Sequence, residues 1–125
     1  MIFLRLVIPG RLIGLNEYTR ACRGNKYAAA KYKKDIEDVI IFHIKNQLKG
    51  VRFENPVFLS FYWYEQSKRR DLDNVAFGKK FAMDSLVKSG TLPNDGWANV
   101  IGFKDSFFVD PKNPRVEVEI SEVIG

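Results

Sequence analysis

The chain holds a single cysteine and a single histidine in 125 residues. Cys22 alone rules out an intrachain disulfide and a zinc site built from cysteine pairs. His43 alone rules out a histidine-rich metal centre and argues against a Cys–His nucleophile pair. Long apolar runs are also missing, and nothing approaches the ~20 residues that a membrane span requires. Met1–Ile8 is short, is broken by Arg5 and reaches Pro9 without a small-residue cleavage site, so it suits a strand better than a signal peptide. The expectation is a protein with no membrane partner and a cytoplasmic location. Acidic residues are the scarcer charge, 15 against 20 Lys and Arg, leaving a net charge of +5. That excess favours a polyanionic partner, nucleic acid first and an anionic membrane surface second. A hydrophobic share of 46% is ordinary for a globular chain. Residues 1–125 read as one domain, with no internal repeat or low-complexity tract.

Ile2, Leu4, Leu6 and Ile8 alternate with Phe3, Arg5 and Val7, the period of a strand. Arg11 to Lys26 has no clean period and contains Gly14, Asn16 and Gly24, which suggests a long loop. From Tyr27 to Lys49 the period is helical, with Tyr32, Ile36, Val39, Ile40, His43 and Leu48 near one stripe and Gly50 as terminator. Pro56 to Glu65 is aromatic and apolar on both faces, as a central strand would be. Asp71 to Lys88 predicts a second helix. Asn99–Asp110 and Arg115–Ser121 predict two strands in a C-terminal hairpin. The expected fold class is α+β: a two-layer β-α-β-α-β-β arrangement with a mixed sheet packed against two helices.

The segment richest in chemistry runs from Arg69 to Trp97. On a continuous helix counted from Asp73, Lys80 falls seven residues on and Asp84 eleven, each about 20° from the Asp73 line, while Lys79 points away. Every one of these residues also has a plain structural reading. Asp71 and Asp73 suit helix capping, Lys80 and Asp84 suit a surface ion pair, and Asp95 before Gly96 suits a turn. Lys68-Arg69-Arg70 suits a solvated loop, His43 a core or interface position, and Cys22 an inert thiol. The combination points further. Mg²⁺ prefers a few carboxylates together with water and phosphate oxygens. Asp71-x-Asp73 at a strand-to-helix junction, joined by Asp95, makes a cage of that kind. Neighbouring Lys and Arg would hold the phosphodiester that the aspartates repel.

Arg70-Asp71-Leu72-Asp73-Asn74, Lys80-x-x-x-Asp84-x-Leu86, Gly90-x-Leu92 and Asp95 together resemble the signature of RusA-type crossover junction endodeoxyribonucleases. The close likeness covers about Arg69 to Trp97, and a looser one extends to the N-terminal strand, the Asn16 loop and the C-terminal strands. The resemblance implies an Mg²⁺-dependent (or Mn²⁺-dependent) homodimer that resolves four-way junction DNA inside a bacterial cell, in a chain of phage or prophage origin. It implies that Asp71, Asp73 and Asp95 are the essential carboxylates and metal ligands, that Lys80 is the catalytic lysine, and that Asp84 and Asn74 support them. Two positions depart from the pattern. The Asn74–Lys80 interval is longer by about one helical turn, which keeps Lys79 in contention, and Asn94 stands where an acidic residue is common.

On this reading Lys68, Arg69 and Arg70, with Arg20, Arg23 and Lys26, would grip phosphates by shape rather than by base sequence. Paired symmetric nicks would need two active sites related by a two-fold axis. The alternatives are a catalytically silent DNA-binding accessory protein and a nuclease for other branched DNA. The whole reading requires the three aspartates to converge.

Overall fold

The computed structural model describes residues 2–124. The order is β1 (Phe3–Pro9), α1 (Leu15–Gly24), α2 (Lys26–Leu48), β2 (Val57–Glu65), α3 (Leu72–Ala76), α4 (Lys79–Lys88), β3 (Val100–Val109) and β4 (Arg115–Glu122). The strands form one mixed sheet in the order β1-β4-β2-β3. Strand β4 is antiparallel to both β1 and β2, and β3 is parallel to β2. This is an α+β fold, as the pattern of elements predicts.

Period-2 alternation decides which sheet face is covered. Leu6 lies opposite Val118, which lies opposite Phe61; Ile8, Val116 and Trp63 form the next row. All six are at most 2% exposed. Ile40, Ile44 and Leu48 of α2, Val75 of α3, and Phe81, Ala82 and Leu86 of α4 pack into the same core. The other face carries Arg5, Glu117, Glu119, Tyr62 and Arg115. Arg5 pairs with Glu117 at 2.8 Å and also with Glu119, while Arg115 pairs with Glu117 at 2.6 Å and stacks over Tyr64.

Four expectations are corrected. The stretch expected to be a long loop contains α1, a helix with no buried residue of its own. Long-range contacts hold it. Tyr18 packs on Phe77 and Phe81 with ring centroids 5.5 Å away in each case, and Asn74 Oδ1 accepts the Asn16 amide at 3.0 Å. Asn74 thus caps a helix 58 residues away in the chain, in place of the side chain that Gly14 lacks. A Cβ at Gly14 would come within 2.5 Å of Asn74 Oδ1.

The buried stripe of α2 is Ala29, Glu37, Ile40, Ile44 and Leu48. Tyr32, Val39 and Phe42 face outward at 45%, 54% and 61% exposure, and His43 packs edge-on against the Phe42 ring. The expected Asp71–Lys88 helix is two helices joined at Phe77-Gly78. There the Gly78, Lys80 and Phe81 amides bond three residues back rather than four. The tightening occurs where the chain passes over Trp63: a Cβ on Gly78 would lie 2.8 Å from Leu12 and 3.3 Å from the Trp63 ring. Finally, β3 and β4 form no hairpin, because β2 lies between them and the 110–114 loop crosses its end.

Candidate functional site

Nearly every carboxylate in this chain has a basic partner. Among the described residues, each Asp or Glu lies within 4.0 Å of a Lys or Arg except Glu122, Asp71, Asp73 and Asp95. Glu122 accepts hydrogen bonds from the Ile2 amide at 3.0 Å and from Asn55 at 2.8 Å, and these bonds hold its carboxyl below the ordinary range. That leaves the three aspartates singled out by the sequence. Asp73 accepts only the amide of its neighbour Asn74, at 2.9 Å. Asp71 occupies the N-cap position of α3 without a side-chain capping bond, so capping does not account for its carboxylate. Asp95 is exposed in the turn before β3, where Asn94 rather than Asp95 accepts the Gly96 amide.

One chain does not bring all three together. Asp71 lines a cavity of about 580 Å³ whose walls include Leu72, Val75, Phe107, Phe108 and Val109. Asp95 lines a separate hollow of about 300 Å³ beside Val100, Ile101, Gly102 and Phe103. These are opposite ends of β3, and at a rise of about 3.3 Å per residue the stretch from Phe103 to Phe107 alone spans about 13 Å. No cluster of three Asp, Glu, His or Cys side chains able to hold a metal occurs among the described residues. The donor set suits a hard cation, with exposed carboxylates committed to no other cation, but it is divided between two places.

The Lys80 stripe drawn on a continuous helix does not survive the break at Phe77-Gly78. Each i→i−3 step turns the chain about 120° rather than 100°, so three of them rotate everything beyond by about 60°. The contacts still separate the two lysines. Lys79 is tucked beneath the sheet edge, 2.7 Å from Asp105 and 4.0 Å above the Phe103 ring, and the Trp63 indole donates to the same Asp105 at 2.8 Å. Lys80 is half-exposed and lies only 3.8 Å from Asp84, which is closer to Lys33 at 3.3 Å. Burial by itself would lower the Lys33 ammonium; Asp84 and Glu37 outweigh it, so its pKa is raised. Lys33 and Lys88 both neutralise Glu37, which is 2% exposed. Asp84 therefore belongs to a structural network linking α2 and α4.

The predicted phosphate-gripping residues divide in the same way. Arg20, Arg23, Lys26, Lys68 and Arg69 are exposed and have no carboxylate within 4.0 Å among the described residues. Arg70 is committed elsewhere. Its side chain is 10% exposed, forks onto Glu65 at 2.8 and 2.9 Å, and donates to the Leu12 carbonyl at 3.1 Å. It ties the end of β2 to the chain entering α1 and is not free for DNA. Glu65, which the motif spacing does not single out, shares the cavity with Asp71. The signal was present, since it continues the buried Leu59-Phe61-Trp63 alternation, where a carboxylate needs a partner. No protein-family model and no curated protein matches the chain.

Proposed function

We propose that this chain is a divalent-cation-dependent, structure-selective endodeoxyribonuclease of the RusA-like type, acting on four-way DNA junctions. One observation carries the reading: the three carboxylates that the sequence pattern marks as ligands are the ones that the fold leaves without a structural task. Carboxylates with no basic partner remain able to coordinate a hard cation. The uncommitted cations lie at the α1–α2 elbow and in the loop before α3.

Asp71 and Asp73 of one copy would hold Mg²⁺, with Asp95 of a second copy as the remaining carboxylate. When bound there, such a cation would supply Lewis acidity for hydrolysis of a phosphodiester by water. Lys68 and Arg69 position the phosphodiester beside Asp71 and offset its repulsion. Lys80, held loosely by Asp84, is the lysine free to stabilise charge developing on the phosphoryl oxygens. Paired nicks require two such centres related by symmetry, hence a homodimer.

The test is incubation of the purified protein with labelled four-way junction, flap and linear duplex, in Mg²⁺ and in EDTA. Mg²⁺-dependent symmetric nicking of the junction is the expected result. Junction binding without cleavage in Mg²⁺ or Mn²⁺ identifies a silent DNA-binding protein, and cleavage of flaps in preference identifies a nuclease for other branched DNA. Junction affinity should also fall by a factor of about 10³ or more between low and physiological salt if six or more phosphates are gripped.

A further inference from the structure

Five charged side chains alternate in sign across the seam between α2 and α4: Lys80, Asp84, Lys33, Glu37 and Lys88. On α4, Lys80, Asp84 and Lys88 are spaced four residues apart, and on α2 Lys33 and Glu37 are too, so neighbours in each set adjoin on the helix surface. The ends of the row are open to solvent and the middle is not. Lys80 and Lys88 are each 55% exposed, whereas Glu37 is 2% exposed. Lys33 is the cation in the row that stands between two acids. Its Nζ lies 3.3 Å from Asp84 and 3.6 Å from Glu37, and Glu37 Oε2 has no hydrogen-bond donor. A buried carboxylate oxygen without a donor is unfavourable unless a cation stays beside it. Glu37 therefore keeps the Lys33 ammonium at the seam, within reach of Asp84.

Asp84 has two ammonium groups competing for it. Lys80 lies 3.8 Å away on the same helix, while Lys33 is closer and, at 31% against 55% exposure, less screened by solvent. From this competition we infer that Lys33 is a positioning residue for Lys80: it satisfies Asp84 from α2 and so leaves the Lys80 ammonium free to turn toward an anionic substrate. With Lys33 removed, Lys80 is the one remaining cation within 4.0 Å of Asp84 among the described residues. An i, i+4 pair would then close along α4, and the Lys80 charge would be answered before any phosphate arrived. Glu37 would keep Lys88 and lose its second cation. The consequence for phosphodiester cleavage rests on the role proposed above for Lys80. The competition for Asp84 does not, and it can be read without DNA.

Lysine acylation of the full chain, followed residue by residue with mass spectrometry, reports how free the Lys80 ammonium is. In Lys33→Met the labelling rate of Lys80 should fall about threefold, the effect of one partly exposed ion pair. Lys33→Arg, which keeps the cation, should label like the parent, and Lys33→Met combined with Asp84→Asn should return to the parent rate. Junction cleavage in Mg²⁺ should follow the same order, with kcat lowered about threefold in Lys33→Met, junction affinity unchanged, and the rate recovered in the double variant. Recovery on removing a second charge is a result that lost packing does not give. Should Lys33→Met fail to fold by circular dichroism, Lys33→Gln carries the same expectations. Unchanged Lys80 labelling in the Lys33 variant, or slowed labelling that Asp84→Asn does not restore, overturns the inference. So does a Lys33 variant that labels slowly yet cuts junctions as fast as the parent. If labelling follows the expected order and the parent itself cuts no DNA, Lys33 still frees Lys80 and it is the nuclease reading that fails.

Discussion

The β1 and β3 edges enclose one sheet, yet their surroundings follow opposite rules. Around β1 the chain answers several polar groups itself. Gln47 covers the Val7 backbone, Arg5 spans Glu117 and Glu119, and Glu122 holds the Ile2 amide. Around β3 the backbone edge is bare, an indole faces outward, and uncommitted aspartates lie at both ends. The contrast lies in the edges themselves: β1 has a side chain hydrogen-bonded to its outer backbone, whereas β3 pairs only with β2.

The sharpest way to break this contrast is at Asp71 and Asp73. Asparagine at either position should lower junction cleavage by about a thousandfold while junction binding holds or tightens, because charge facing phosphate is removed. Thermal melting should stay unchanged, since neither carboxylate has an ion-pair partner to lose. Weakened binding with cleavage intact would exclude both residues as metal ligands.

Lys79 and Lys80 then separate structure from chemistry within two adjacent residues. Lys79→Ala leaves Asp105 with only the Trp63 indole and removes a cation from the Phe103 ring, which should cost about 2 kcal/mol of stability in denaturant titration. Lys80→Ala should leave stability within about 0.5 kcal/mol and lower the cleavage rate instead. Equal rate losses, once corrected for folding, would remove Lys80 from the chemistry.

Gln47→Ala tests the closed edge. Two partly solvated hydrogen bonds to Val7 are lost, at about 1 kcal/mol in all, with no change in junction cleavage. An acid titration gives the smallest effect. The Glu122 pKa is lowered in the folded state, so its contribution is present above the unfolded carboxylate range and is lost as pH falls through that range and below it. Asn55→Ala should weaken that dependence, as read by melting temperature between neutral and acidic pH.

What could be foreseen from sequence was what local periodicity controls. Alternation in Leu4–Ile8 and Val116–Ile120, and the apolar run of Val57–Glu65, located the strands because one residue in two must face the core. Residue type and spacing single out the aspartates and the exposed basic residues as candidates. What escaped depends on distant partners. Helix α1 exists because Asn74 and the Phe77–Phe81 pair come to it from elsewhere in the chain. The phase between Asp73 and Lys80 was lost because packing of Gly78 against Leu12 and Trp63 tightens the turn between them. The pairing of β2 between β3 and β4 is a topological choice that no short loop announces. Arg70 reads as a DNA contact within its basic triplet, and only the buried alternation that ends at Glu65 signals that this carboxylate claims it.

The central position of β4 has a consequence for synthesis. Strand β1 touches β2 nowhere in the sheet, and β4 joins them. While the chain emerges from the ribosome, the first strand must wait through more than a hundred residues for its hydrogen-bonding neighbour. Until then β1 has only the helices to lean on. The late arrival of one eight-residue strand therefore sets when the two halves of the molecule become a single cooperative unit.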